Sequence, residues 1–209
     1  MNKYIDHTLL YAYATNIDIV NLCEEAKEYD FMSVCINPCY VRLAKEQLKN
    51  SSVKVCTVIG FPLGASTISS KVYETKEAIS NGADEIDMVI NISKVKNNDF
   101  DYVLDEIKQV RKASIGKILK VIIETCYLTD DEIIKTSNCV VEAKADFVKT
   151  STGFGPSGAT VEAVKLIKNT VSDKTLIKAS GGIKTKEDLI KMIDAGANRI
   201  GTSKGKKII

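Results

Sequence analysis

Eight apolar runs of strand length alternate with segments of helical periodicity along the 209-residue chain, and no other feature restricts the fold as much. The runs are YIDHTLL (4–10), SVCIN (33–37), KVCTVIGF (54–61), DEIDMVIN (84–91), ILKVIIE (118–124), DFVKTS (146–151), TLIKAS (175–180) and NRIGTS (198–203). Between them apolar residues fall at helical spacing, as in Ile17, Val20 and Leu22 with Ala26, and Leu104 and Ile107 with Val110. Three intervening segments open with a capping-box pattern: Thr15 with Asp18, Thr129 with Glu132, and Thr185 with Asp188. Two end at glycine joints, NGAD (81–84) and AGAN (195–198), that run straight into a strand, and AKADFV (143–148) has the same grammar. Strands rich in Val and Ile that alternate with helices imply a parallel sheet covered on its outer side. Eight such units closing on themselves make a (β/α)8 (TIM) barrel of the α/β class, with residues 1–209 as one domain. An open doubly wound sheet is the competing arrangement, but no G-x-G-x-x-G follows the first strand.

Composition narrows the function classes. The formal net charge is +2 with lysines scattered among acids, unlike the one-sided basic surface of a nucleic-acid or membrane binder. No apolar run approaches the roughly 18 residues that span a bilayer. The N-terminus MNKYIDHTLL lacks the basic-then-apolar layout of a signal peptide, so a cytoplasmic protein is expected. In that setting the six cysteines (Cys23, Cys35, Cys39, Cys56, Cys126, Cys139) read as reduced, buried small hydrophobes. Cys35 and Cys39 have no second pair to complete a zinc site, and His7 is the only histidine, which disfavours a metal mechanism.

In a barrel the active site lies at the C-terminal ends of the strands. Asp87, Lys120, Lys149 and Lys178 are charged residues inside otherwise apolar runs. Any one such lysine can snorkel outward between helices. Lys149 and Lys178, however, occupy matching places, two residues before a serine, on consecutive units. Adjacent strands lie about 4.8 Å apart, so two inward ammoniums would share a low-dielectric interior. Desolvation and like-charge repulsion are then expected to lower lysine pKa and leave a nucleophilic amine, with Asp87 compensating the remaining charge and passing protons. That is reactive-amine chemistry on a carbonyl compound, and spacing alone leaves open which lysine is the nucleophile. Three stretches rich in glycine and hydroxyls, KTSTGFGPSG (149–158), ASGGIKTKED (179–188) and RIGTSKG (199–205), follow the last three strands. Backbone N–H groups in such loops bind anions, and barrels often hold phosphate after strands seven and eight; ordinary tight turns have the same composition.

IDHTLL, CINP, VIGFPLG, GADEIDMVIN, KVIIETCYLTD, ADFVKTSTGF, IKASGGI and RIGTS together resemble the deoxyribose-phosphate aldolases, metal-independent class I enzymes of the DeoC type, from residue 5 to residue 203. The resemblance implies a (β/α)8 barrel that reversibly cleaves 2-deoxy-D-ribose 5-phosphate to D-glyceraldehyde 3-phosphate and acetaldehyde, with no cofactor. It implies Lys149 as the Schiff-base lysine, Asp87 and Lys178 as the proton relay, and Gly181, Gly182 and Ser203 as the phosphate site. Lys120 matches a lysine lining the pocket, and Asp6 and Thr8 match polar residues near it. Two departures stand out. Lys204 takes the place of a second serine in the GTS segment, where it either strengthens phosphate binding or points into solvent. The chain also stops at Ile209, so the closing helix is expected to be truncated or missing, and a partner subunit in a homodimer or other homo-oligomer would cover the strip. Small phosphorylated sugars and aldehydes are the expected ligands. A sugar-phosphate isomerase, a transaldolase-like transferase and a non-catalytic phosphosugar-binding barrel are the alternatives.

Overall fold

All eight runs are strands in the computed structural model, which describes residues 1–209, and each is trimmed at one or both ends. They are β1 (Ile5–Leu9), β2 (Ser33–Ile36), β3 (Lys54–Ile59), β4 (Glu85–Val89), β5 (Ile118–Ile122), β6 (Phe147–Lys149), β7 (Leu176–Ser180) and β8 (Arg199–Thr202). The strands pair in parallel in chain order and β1 pairs with β8, so the sheet closes and the open-sheet alternative falls. Around it run α1 (Asn16–Glu28), α2 (Val41–Gln47), α3 (Ile68–Ser80), α4 (Ile92–Lys96), α5 (Phe100–Ala113), α6 (Asp130–Glu142), α7 (Val161–Val171) and α8 (Lys186–Asp194). Both α4 and α5 lie between β4 and β5. After β8 there is only a 3₁₀ turn, Gly205–Lys207, followed by the fully buried Ile208.

Local chemistry sets the helix starts. The three capping boxes form with both bonds in place, at Thr15, Thr129 and Thr185. Thr67 and Thr160 cap α3 and α7 through the same hydroxyl-to-amide bond without a returning acid.

Side chains alternate across each strand, and the two faces carry opposite chemistry. Ile86, Met88, Leu119, Val121, Val148 and Ile177 join a 44-residue apolar cluster, which is the layer between strands and helices. Their neighbours Glu85, Asp87, Lys120, Lys149, Lys178 and Arg199 bond to one another instead. Barrel centres are usually filled by branched apolar residues; this one is ionic. His7 belongs to neither set. Its Nε2 lies 2.8 Å from Glu25, which also accepts from Lys206 at 2.6 Å, tying the C-terminal turn to β1 and α1.

A second buried ion pair lies outside the barrel. Lys71 on α3 donates to Glu106 on α5 at 2.6 Å and to the carbonyls of Gly64 and Val89 at 2.7 Å, and both side chains are fully buried. Glu106 also accepts from the Asn91 amide at 2.9 Å, so the pair holds the β3–α3 and β4–α4 joints together. Breaking a buried pair leaves a desolvated charge. Glu106→Leu is expected to cost about 3–5 kcal/mol, read from equilibrium urea unfolding.

Candidate active site

Register brings the charged residues into one group. Asp87 on β4 sits beside Lys120 on β5, Ile122 of β5 beside Lys149 on β6, and Lys149 beside Lys178 on β7. Lys149 and Lys178 are therefore direct neighbours, as their matching places in the chain predict. Asp87 is the hub. Its Oδ2 accepts from Lys149 and Lys178, each at 2.8 Å, and its Oδ1 from Lys120 at 2.8 Å and from the Cys56 thiol at 3.1 Å.

Below this hub is a second tier that the sequence reading did not assemble. Lys178 is 2.6 Å from Asp6, and Lys120 is 2.6 Å from Glu85. Arg199 on β8 bridges Asp6 at 2.9 Å and Glu85 at 2.6 Å, and Ser33 donates to Asp6 at 2.7 Å. Gly201 makes room for this packing, because a Cβ there would stand 3.1 Å from Lys178 Cε.

These contacts reverse part of the expectation. Burial opposes the charged form of Lys178, but Asp6 and Asp87 outweigh it and hold the ammonium above the ordinary lysine value. Lys120 behaves in the same way: burial is overcome by Asp87, Cys56, Glu85 and Asp6. Lys120 and Lys178 are thus raised where a lowering was expected, because the expectation counted like charges and omitted Asp6 and Glu85. For Asp87, burial would favour protonation, yet the three lysines hold it well below the usual carboxylate range. The cysteines also divide. Cys39 is exposed and Cys126 half-buried, while Cys35 and Cys56 are buried against Asp87 and are not plain core residues. A bond from Cys56 brings the Cys35 thiol down to about 7, and burial raises Cys56.

Above the hub a cavity of about 380 Å³ opens at the C-terminal ends of the strands. Lys149, Thr8, Gly181, Gly182 and Ser203 line it, and so does Lys204. Asp87, Lys178, Lys120 and Asp6 do not; all four are fully buried beneath its floor. Lys120 thus supports the site from below instead of lining it, because Glu85 and Asp87 draw its ammonium inward. Gly181 and Gly182 both have φ of +80°, a left-handed turn that bares the backbone at one end of the cavity. Lys184 and Lys204 flank that end, and no carboxylate lines any part of the cavity. Missed by the sequence reading were Glu85, Arg199, Ser33 and Cys56. Their signal was weak: Glu85 stands two residues before Asp87, hence on the same strand face.

Network and pH stability are linked through Asp6. Burial opposes its carboxylate, but Lys178, Arg199 and Lys120 prevail and bring its pKa from 3.8 down to about 2. A depressed carboxylate stabilises the fold fully above its unfolded value and loses that contribution as the pH falls through the folded value. The stability difference between wild type and Asp6→Asn, followed by urea unfolding, is expected to be constant above pH about 5. It should narrow by about 2 kcal/mol toward pH 2.

Comparison with known proteins places the chain in a family. The family model described as DeoC/LacD family aldolase matches residues 1–208. The deoxyribose-phosphate aldolase of Finegoldia magna is 60% identical over 209 residues, covering 100% of this chain and 98% of the relative. That of Thermoanaerobacter pseudethanolicus is 61% identical, covering 99% of this chain and 94% of the relative. Among solved structures, the tetrameric deoxyribose phosphate aldolase of Aeropyrum pernix superposes with a TM-score of 0.93 at 34% identity, covering 99% of this chain and 88% of that one. With its closed barrel, its lysine cluster and a family match over nearly its whole length, the chain belongs to the DeoC/LacD family of aldolases.

Proposed function

We propose that the protein reversibly cleaves 2-deoxy-D-ribose 5-phosphate to D-glyceraldehyde 3-phosphate and acetaldehyde through a Schiff base on Lys149, in cytoplasmic deoxyribose-phosphate catabolism. One observation carries the choice of nucleophile: of the cluster's lysines, Lys149 alone faces the cavity, and it alone lacks a carboxylate of its own. Asp6, Glu85 and Asp87 match Lys120, Lys178 and Arg199 charge for charge, and the sole carboxylate contact of Lys149 is the Asp87 oxygen it shares with Lys178. With the neighbouring thiols protonated, a neutral amine at Lys149 leaves the cluster electroneutral, and a neutral amine is what carbonyl attack requires.

The Lys149 amine adds to C1 of the open-chain sugar phosphate to give a carbinolamine. Lys178, held protonated beneath the cavity floor and 2.8 Å from Asp87, supplies through an intervening water the proton with which hydroxide leaves as water, and the iminium forms. Lys178, now neutral, accepts the proton of the C3 hydroxyl through the same water, with Asp87 holding the two in line, as the C2–C3 bond breaks. C3 becomes the aldehyde of glyceraldehyde 3-phosphate, and the electron pair of the broken bond passes into the iminium to give an enamine. The proton returns to C2, and water hydrolyses the resulting iminium to release acetaldehyde. The phosphate sits at the Gly181–Gly182 turn with Ser203, Lys184 and Lys204, which fixes the distance from anion to amine. A carboxylate-base isomerase would find no carboxylate along the cavity wall to use.

Borohydride reduction in the presence of deoxyribose 5-phosphate is expected to leave an adduct on Lys149, located by peptide mass spectrometry. Lys149→Leu should form none and lose activity by at least about a thousandfold; retained activity would defeat the assignment. Self-association is part of the same reading, supported by the exposed Tyr13 and Ile17 beside the β1–α1 joint. Light scattering at micromolar concentration should give an oligomer mass, and a monomer removes that element.

A further inference from the structure

We propose that Glu124 is a positioning residue that fixes the loop following Lys149 over the mouth of the cavity; the inference rests on the aldolase reading above. Glu124 follows β5 in a left-handed conformation, φ 55° and ψ 65°, which side chains other than glycine adopt only at a cost. Glycine would take this backbone freely. Its place is held by a glutamate whose side chain is almost wholly buried, at 2% exposure.

The bonds around Glu124 show what the side chain does. On either side of it, the amides of Ile123 and Thr125 continue the ladder to the carbonyls of Lys149 at 3.0 Å and Thr150 at 2.9 Å. Glu124 itself turns its carboxylate across to the next strand's loop. Oε1 accepts the Thr152 amide at 3.1 Å and Oε2 accepts the Thr152 hydroxyl. That hydroxyl oxygen accepts in turn from the Phe154 amide at 3.0 Å. The Phe154 ring then meets Phe61, on the β3–α3 joint, edge to face at 5.3 Å. Thr152, Gly153 and Phe154 all line the cavity beside Lys149. One carboxylate therefore anchors a chain of contacts running from the end of β5 to the opposite rim. Glu124 makes no bond to Lys149, Asp87 or Lys178, so its influence falls on how the wall receives the sugar phosphate and not on the proton steps.

The test compares Glu124→Gln, Glu124→Gly, Thr152→Val and the double variant Glu124→Gln/Thr152→Val in steady-state cleavage of deoxyribose 5-phosphate. Losing a charge-assisted bond should raise KM roughly tenfold while kcat stays within about threefold. Glu124→Gly should show the same KM although it relieves the backbone strain, with a thermal midpoint no lower than that of Glu124→Gln. The double variant should be no worse than Glu124→Gln alone, because the Thr152 hydroxyl acts on the loop through the Glu124 carboxylate. Unchanged KM in the Glu124 variants, a fall in kcat with KM unchanged, or effects that multiply in the double variant would each overturn the proposal. Borohydride trapping of wild type runs alongside. If wild type gives no Lys149 adduct the functional reading fails; if it does and the variants keep their KM, only the role of Glu124 fails.

Discussion

Every other feature of the site depends on one buried carboxylate accepting three ammonium groups. Asp87 holds Lys120, Lys149 and Lys178, each at 2.8 Å, from three successive strands. Removing such ions from water costs several kcal/mol each, so the arrangement survives only if almost every charge is matched and bonded. Asp6, Glu85 and Arg199 complete the matching. The network also makes demands on the fold. A one-residue slip of any strand would turn its ionic residue into the apolar layer and a branched side chain into the charged interior. Closure of the barrel prevents such a slip, because β1 and β8 must meet for Arg199 to reach Asp6.

An apolar interior of the same volume would often be at least as stable as a buried ionic one. What the ionic interior supplies is a graded set of amines. Lys120 is surrounded by three carboxylates, Lys178 by two and Lys149 by one, and the least matched is the one that meets the cavity. Matching falls as solvent access rises, and in the proposed mechanism that gradient separates a proton carrier from a nucleophile although both are the same residue type on adjacent strands.

Strand positions, three capping boxes and the adjacency of Lys149 and Lys178 were legible because each depends on local periodicity or on the order of neighbouring strands. The partners Glu85 and Arg199 were not, since β4 and β8 lie far apart in the chain and meet only across the closed barrel. That omission had a chemical consequence: with Asp6 and Glu85 left out, two lysines side by side imply depressed pKa values, whereas Lys178 is held charged. Cys56 was read as a small hydrophobe from its apolar run, which is correct for its neighbours Val55 and Val58 and wrong for a thiol 3.1 Å from Asp87. Glu124 escaped notice because its partner is a loop residue, and loop geometry leaves no period in the sequence.

In the proposed mechanism the two ends of the cavity require opposite electrostatics, and the fold separates them by dielectric and not by distance alone. A phosphate needs uncompensated cations, while a nucleophilic amine is favoured by having none nearby. Lys184 and Lys204 are exposed at the rim, where water and counterions weaken their effect on Lys149 over roughly a Debye length of 8 Å. The interior cations act in a medium of low dielectric but are neutralised at contact by Asp6, Glu85 and Asp87. Lys149 stands at the boundary between a screened positive rim and a self-neutralising interior. For the proposed nucleophile, a lysine one tier deeper, such as Lys120, is held by three carboxylates away from the cavity, and one at the rim would lose the relay beneath it.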